Sequence, residues 1–382
     1  MTEVVIVGGG PVGLFLAALL LQQGVGVRVL EQRVSPNTHS RAIGIHPPSM
    51  EALDAVGVAG TLASDGVQIR RGVALWAGKE FAHMRFDTIP ARYPFILSVP
   101  QALTEAVLAR RVRELDSDAV RAGVRAIGLR DDGGTLIADT ESISGRGSFR
   151  AALVIAADGA HSTVRELLGT PTRLKTYPDA YLMGDFADNT PFGPDAALFL
   201  DAQGIVESFP LPGGTRRWVA RLPAGPPRAE TPALSAERLA ALLRQRTGLT
   251  VDAGSNSMMS GFGVRSRGVR RMVQGRTFFI GDAAHEISPI GGQGMNLGWM
   301  DALALAPIIT AFLAGVVTDR EVRSYDRTRR RAAARAMRQA EINMALGRPL
   351  PPPALAVRNL TIGRLAAIPA INSGVARRFT MR

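Results

Sequence analysis

The sequence predicts an α/β protein in which a dinucleotide-binding sheet-and-helix domain is interrupted by a sheet-rich insert and followed by C-terminal helices. Three observations predict it. A strand-like run, Val4–Val7, ends in a glycine loop and an apolar helix. A second strand–glycine–helix unit lies far downstream, between Gly275 and Ala302. Between them, from Tyr177 to Gly261, helical periodicity gives way to short β-rich runs bounded by Gly and Pro.

In the first unit, Gly8, Gly10 and Gly13 stand in G-x-G-x-x-G spacing before the helix Leu14–Gln23. Such glycines permit a tight turn, close approach of a pyrophosphate, and helix–strand packing. Pro11 fits the first helical turn, where its missing N–H would be unpaired anyway. Val12 completes the loop. The strand Val27–Leu30 then delivers Glu31, with Gln32 and Arg33, to the place of a ribose-binding acid.

Strand-like pieces follow at Val73–Trp76 and Phe95–Leu97, then a helix over Gln101–Arg113 and a strand over Ala152–Ala156. Within the insert, Ala180–Phe186 and Ile205–Leu211 read as strands, and Pro212-Gly213-Gly214 as a hairpin turn into Trp218–Leu222. A helix over Ala236–Arg246 starts at Ser235 as N-cap and stops at Gly248. The expected cofactor domain is therefore discontinuous, 1–69, 98–176 and 262–348, with the substrate domain at 70–97 and 177–261. After Pro349–Pro353, residues 349–382 form a C-terminal helical segment.

The second unit carries the most chemistry. The apolar strand Thr277–Ile280 ends in Gly281-Asp282, and a loop with Pro289, Gly291, Gly292 and Gly294 opens a helix near Met295 and Asn296. Strand, carboxylate, glycine turn and helix is how a chain brings backbone N–H groups and one Asp against a polyol-phosphate cofactor.

Composition sets limits. The chain has 382 residues, 46% of them hydrophobic, enough for one large or two medium cores. It has no cysteine, which excludes disulfides and thiolate chemistry. The net charge of +12 is almost all Arg, since Lys79 and Lys175 are the only lysines. The densest run, Arg327–Arg338, reads as a solvated helix face, with an acidic partner or membrane surface as the alternative. No aromatics interleave those arginines, which argues against nucleic acid. The longest apolar stretch, Ala302–Val317, falls short of the ~20 residues of a membrane span and contains Pro307, so a buried helix and no stable membrane insertion are expected. No secretory leader pattern opens the sequence, and a cytoplasmic location is expected.

The two loops together resemble those of the flavoprotein aromatic hydroxylases of the para-hydroxybenzoate hydroxylase type. Three further segments match in order. Ser40–His46 is similar to the family's arginine segment, whose Arg, here Arg41, meets the cofactor. Pro100-Gln101 resembles the helix start that touches the FAD ribose and phosphate. Ala157–Arg165 resembles the Asp-Gly motif, which implies that Asp158, Gly159 and Arg165 meet FAD or the nicotinamide nucleotide. Thr104 and Ser288 depart from the family pattern without touching the chemistry. The resemblance implies a Rossmann-like FAD-binding domain and NAD(P)H-dependent monooxygenation by O₂ through a flavin C4a-hydroperoxide, NADPH being the expected donor. No catalytic side chain is then required, because the flavin performs the bond-making. Asp282 would hold the ribityl chain, Pro289 would lie beside the ring, and the helix starting near Gly294–Leu297 would face the reduced flavin's charge.

The expected substrate is an aromatic or polycyclic small molecule. His46, Met183, Asp185, Phe209, Arg216, Trp218 and Pro289 are the candidates to touch it, and an arginine there would suit a phenolate or carboxylate. His46 faces either flavin or substrate, and His285 bonds the loop. No His pair has metal-ligand spacing, so no metal is expected. Flavin halogenases share the first loop, but their WxWxIP motif and catalytic Lys are missing. A flavin-bearing binding protein and a flavin-dependent reductase of isoprenoid chains remain as alternatives. Oligomeric state is not legible.

Overall fold

The structure, a computed structural model, describes residues 2–35, 42–223 and 235–381. Val4–Val7 forms the centre of a six-stranded sheet, flanked in parallel by Leu153–Ala156 and Val27–Glu31. Thr277–Phe279 and Val120–Ala122 extend it in parallel on the two sides, and Val273–Gln274 adds an antiparallel edge. Alternation along each strand gives the sheet two apolar faces. Val4, Ile6, Val27, Val29, Leu153, Ile155 and Phe278 face a core shared with the helices Pro11–Gln22, Gln101–Leu115 and Gln293–Leu313.

Val5, Val7, Leu30, Val154, Ala156 and Phe279 face a second core, closed by an antiparallel meander of Arg125–Asp131, Leu136–Ser142 and Gly145–Ala151. This meander has no counterpart among the sequence-predicted elements. Its strands bury few side chains, among them Ala126, Leu136, Ala138 and Ala151, and the arginines and acids between them mask the alternation.

The insert is built on an eight-stranded sheet. Its spatial order is His285–Glu286, Met258–Val269, Thr172–Ala187, Thr215–Arg221, Val206–Leu211, Ala196–Phe199, Arg71–Trp76 and Lys79–Arg85. One face packs Leu182, Phe186, Val206, Trp218 and Ala220 onto Leu239 and Leu243 of the helix Ala236–Thr247. That helix has the expected caps: Ser235 Oγ accepts from Arg238 N–H, and Gly248 takes the left-handed conformation with φ 76°. The expected boundaries at 177 and 261 fall inside the two longest strands, Thr172–Ala187 and Met258–Val269, which run on past them without a break. Ile96–Ser98 pairs with Gly44–Ile45 and Val67–Ile69 rather than with the insert sheet.

The helix Gln293–Leu313, at 21 residues, is long and apolar enough to cross a membrane by itself. Its apolarity has another use: Leu297, Trp299, Ala302, Leu305, Ala306 and Ile309 are buried in the protein interior. The basic run lies on the helix Asp319–Leu346 and is largely solvent-facing, but Arg329 turns inward to Asp301. Helices Pro352–Ala366 and Pro369–Phe379 meet at a bend of 100°.

Candidate active site

The two glycine loops are locked together. Val12 lies between them: a Cβ added at Gly281 would stand 3.3 Å from its Cγ2, and one at Gly298 only 2.5 Å. Trp299 Nε1 donates to the Pro11 carbonyl at 3.0 Å, tying the Gln293–Leu313 helix to the first loop. At Gly8, φ is 110° and a Cβ would meet the Ala157 carbonyl at 2.3 Å. Gly13 serves packing alone, since a Cβ there would sit 2.1 Å from the Gly8 carbonyl. Gly10 borders open space, with nothing within 4 Å of such a Cβ.

That space is part of a cavity of about 1360 Å³. Gly8, Gly10, Pro11, Val12, Glu31, Gln32, Arg33 and Gln101 line one end, with Asp158 and Gly159 beside them. Gly281, Asp282, Pro289, Gly291, Gly292, Gly294 and Met295 line its middle. The helices Pro11–Gln22 and Gln293–Leu313 both open on the cavity with a glycine N-cap and no capping side chain, leaving their first N–H groups to a ligand.

Glu31 accepts from Gly9 N–H and Arg33 N–H, both at 2.8 Å, and from the Arg33 guanidinium. Burial opposes its ionisation, but these bonds hold its pKa below the ordinary value. Asp282 differs. It makes no hydrogen bond among the described residues, and although its carboxyl opens on the cavity, the surrounding walls crowd out enough bulk water to push it up to about 6. Asp158 gives one oxygen to Val164 N–H at 3.1 Å, while Oδ1 is buried without a partner. Orphaned acceptors, open glycine backbone and uncapped helix starts along one cleft fit a dinucleotide such as FAD.

Several expected contacts lie elsewhere. Arg41 is outside the described residues, although the adjoining Ala42 lines the cavity. Arg165 is not on the wall: it is buried and donates to the Ala160 and Ala283 carbonyls, so it ties the Asp158-Gly159 segment to the Gly281-Asp282 turn. Asn296 is likewise internal, accepting from His46 N–H and donating to the Gly44 and Gly292 carbonyls. These bonds fix His46 in the wall, where desolvation lowers its ring pKa to about 4, so it is neutral. His285 bonds Asp301, which also accepts from Arg329 Nε and Gly281 N–H; its role is to hold the loop.

The insert sheet forms the floor. Met183 and Phe209 line the cavity, whereas Arg216 and Trp218 point the other way. Register explains this correction: Met183 pairs with Val219, and Arg217 shares that face two residues away, so Arg217 and Val219 line the cavity while Arg216 and Trp218 lie on the opposite face. Arg216 is consumed by Asp188, Ser208 and two carbonyls, and Trp218 packs beside Phe199. Asp185, expected to touch the substrate, is not on the wall either: Arg217 holds it in a two-point ion pair, both bonds 2.7 Å. Of Arg216-Arg217-Trp218 only the middle residue is on the wall, and Glu207 on the neighbouring strand went unread, because strand alternation does not say which parity faces in. The sequence predicts the C-terminal helical segment, but not its place on the wall: Val375, Arg378 and Phe379 line the cavity, and Phe379 stacks on Phe86 at 6.0 Å and lies 5.8 Å from the His46 ring.

Residues 1–340 match the family described as FAD binding domain. The chain belongs to this family. It is 33% identical over 333 residues to the rifampicin monooxygenase of Streptomyces venezuelae, covering 82% of this chain and 65% of that protein. The chain thus spans just under two thirds of that relative's length. Its fold matches that of p-nitrophenol 4-monooxygenase PnpA from Pseudomonas putida DLL-E4 with a TM-score of 0.88, 99% of this chain on 97% of that one, at 23% identity. The Diels-Alderase PyrE3 of pyrroindomycin biosynthesis matches with a TM-score of 0.83 at 26% identity, 100% of this chain on 80% of that one.

Proposed function

We propose that this chain binds FAD in the cleft and, with NAD(P)H and O₂, hydroxylates an aromatic or polycyclic small molecule. The observation that carries the reading is the continuity of the cavity, from the Gly8–Gly13 loop past Asp282 and Pro289 to the floor at Met183 and Phe209. Gly10 and the start of the Pro11–Gln22 helix hold the pyrophosphate, Glu31 the adenosine ribose, and Asp282 the ribityl chain. The free N–H groups at the start of the Gln293–Leu313 helix stabilise negative charge at the ring. Bound there, FAD would supply the redox chemistry of the hydroxylation. Pro289, Met183, Phe209 and Phe379 keep the chamber apolar and exclude water. NADPH is the donor we expect.

One relative favours a second reading, a flavin-bearing protein that shapes a reaction without oxygenating its substrate, since PyrE3 is described as a Diels-Alderase. NADPH consumption and product mass, measured with and without a panel of aromatic compounds, separate the two. Gain of one oxygen with stimulated NADPH oxidation supports the monooxygenase. Isomerisation with no net NADPH use supports the second reading. A colourless protein that fails to take up FAD defeats both.

A further inference from the structure

The floor of the cavity is crossed by one row of directly paired residues. Met183 pairs with Val219, Val219 with Glu207, Glu207 with Leu198, and Leu198 with Ala74. All five line the cavity, and directly paired residues share one face of a sheet. Four of them are apolar. Glu207 sits in the middle of the row, 8% exposed, and its carboxyl has no hydrogen bond or ion pair among the described residues. Arg217, two residues along from Val219, is bonded at two points to Asp185. Tyr181 Oη, on the same face, makes no bond to Glu207 and is buried without a partner.

A carboxyl held among aliphatic side chains with no donor is costly unless something entering the cavity supplies one. We propose that Glu207 determines specificity on this floor: it accepts a hydrogen bond from a hydroxyl of the substrate and repels a substrate carboxylate. The inference rests on the cavity being the substrate site of the proposed monooxygenase. It reverses the charge expected there from sequence, since Arg216 faces away and Arg217 is neutralised by Asp185. Desolvation pushes the Glu207 carboxyl up to about 7, which eases the burden of an unpaired charge until the hydroxyl arrives.

The test is a fluorescence titration of the FAD-loaded protein at about pH 8.5, where Glu207 is ionised and 2-naphthol is not, with 2-naphthol, 2-methoxynaphthalene and 2-naphthoate, which share one ring system. Wild type is expected to bind the naphthol about ten- to a hundredfold more tightly than the ether, the usual range for a hydrogen bond to a charged acceptor. The naphthoate should bind more weakly than the naphthol. Glu207→Leu should bring naphthol and ether within about twofold of each other, and Glu207→Gln should keep part of the preference while gaining affinity for the naphthoate. Equal binding of naphthol and ether to wild type overturns the proposal. So does an undiminished preference in Glu207→Leu, or no binding of any of the three by protein that holds FAD. A preparation that takes up no flavin defeats the functional reading, and the same three titrations on that apoprotein then decide the role of Glu207 separately.

Discussion

At Asp282 the carboxylate faces the cavity with no hydrogen-bond partner among the described residues, which separates its proposed part in binding from any part in folding. Asp282→Ala is expected to weaken FAD binding by roughly one to two orders of magnitude, the usual size of a charge-assisted hydrogen bond, without lowering the melting temperature of the apoprotein. Flavin content at limiting FAD is the measurement. The pH dependence has a definite sign. An acid whose folded pKa is raised from 3.8 to about 6 makes the folded state bind the proton more tightly than the unfolded one. Its contribution is therefore lost as pH rises from about 4 through 6. The apoprotein of Asp282→Asn should gain on wild type between pH 4.5 and 7.5 in thermal melts. A difference that does not change with pH would count against desolvation as the cause.

Two elements must stay in register for the cleft to exist, the first loop and the helix Gln293–Leu313. Gly298 is their contact point, and a methyl there would stand 2.5 Å from Val12 Cγ2 and 3.1 Å from Gly281 Cα. Gly298→Ala should therefore cost about 1–3 kcal/mol in denaturant unfolding, as overpacking does, and also reduce FAD affinity. Normal affinity in a destabilised variant would show that the cleft tolerates the shift. The same helix is anchored through Asp301, whose carboxylate receives His285, Arg329 and Gly281 N–H. Burial opposes ionisation of Asp301, but His285 and Arg329 outweigh it and hold its pKa below the carboxylate range. Asp301→Asn leaves the buried cationic partners uncompensated, and we expect a loss of about 3–5 kcal/mol by urea unfolding. A loss below 1 kcal/mol would place the anchor elsewhere.

Across the whole molecule, the cavity wall is assembled from segments far apart in sequence, and the last of them is the C-terminal helix Pro369–Phe379. Phe379 touches Phe86 of the insert and His46 of the cofactor half, so it closes the chamber at their junction. Phe379→Ala should leave FAD binding intact but raise hydrogen peroxide released per NADPH consumed, because water reaches the chamber. Unchanged coupling with an accepted aromatic would remove this helix from the seal. Among the described residues the fold shows no second dinucleotide cleft, and the nicotinamide nucleotide is expected to visit rather than stay. Stopped-flow reduction at fixed NADPH should be much faster with a bound aromatic than without one. Equal rates with several hydroxylated substrates would show that the gate is missing.

The sequence by itself determined the local units whose chemistry is carried by spacing. Val4–Val7 with Gly8, Gly10 and Gly13, the Gly281-Asp282 turn and the Ser235-to-Gly248 helix are legible because short-range sterics and hydrogen bonding demand those residue types at those positions. What only the tertiary structure decided depends on pairing between distant strands. Whether Arg216 or Arg217 faces the cavity follows from register with Asp185, and a shift of one residue would have exchanged them. The meander from Arg125 to Ala151 stayed hidden because it buries few side chains against the main sheet. Phe379 meets His46 and Phe86 from the far end of the chain, and no local pattern encodes that meeting; Glu207 lies beside Leu198 and Val219 of neighbouring strands, and its place on the wall depends on which parity of the sheet faces in.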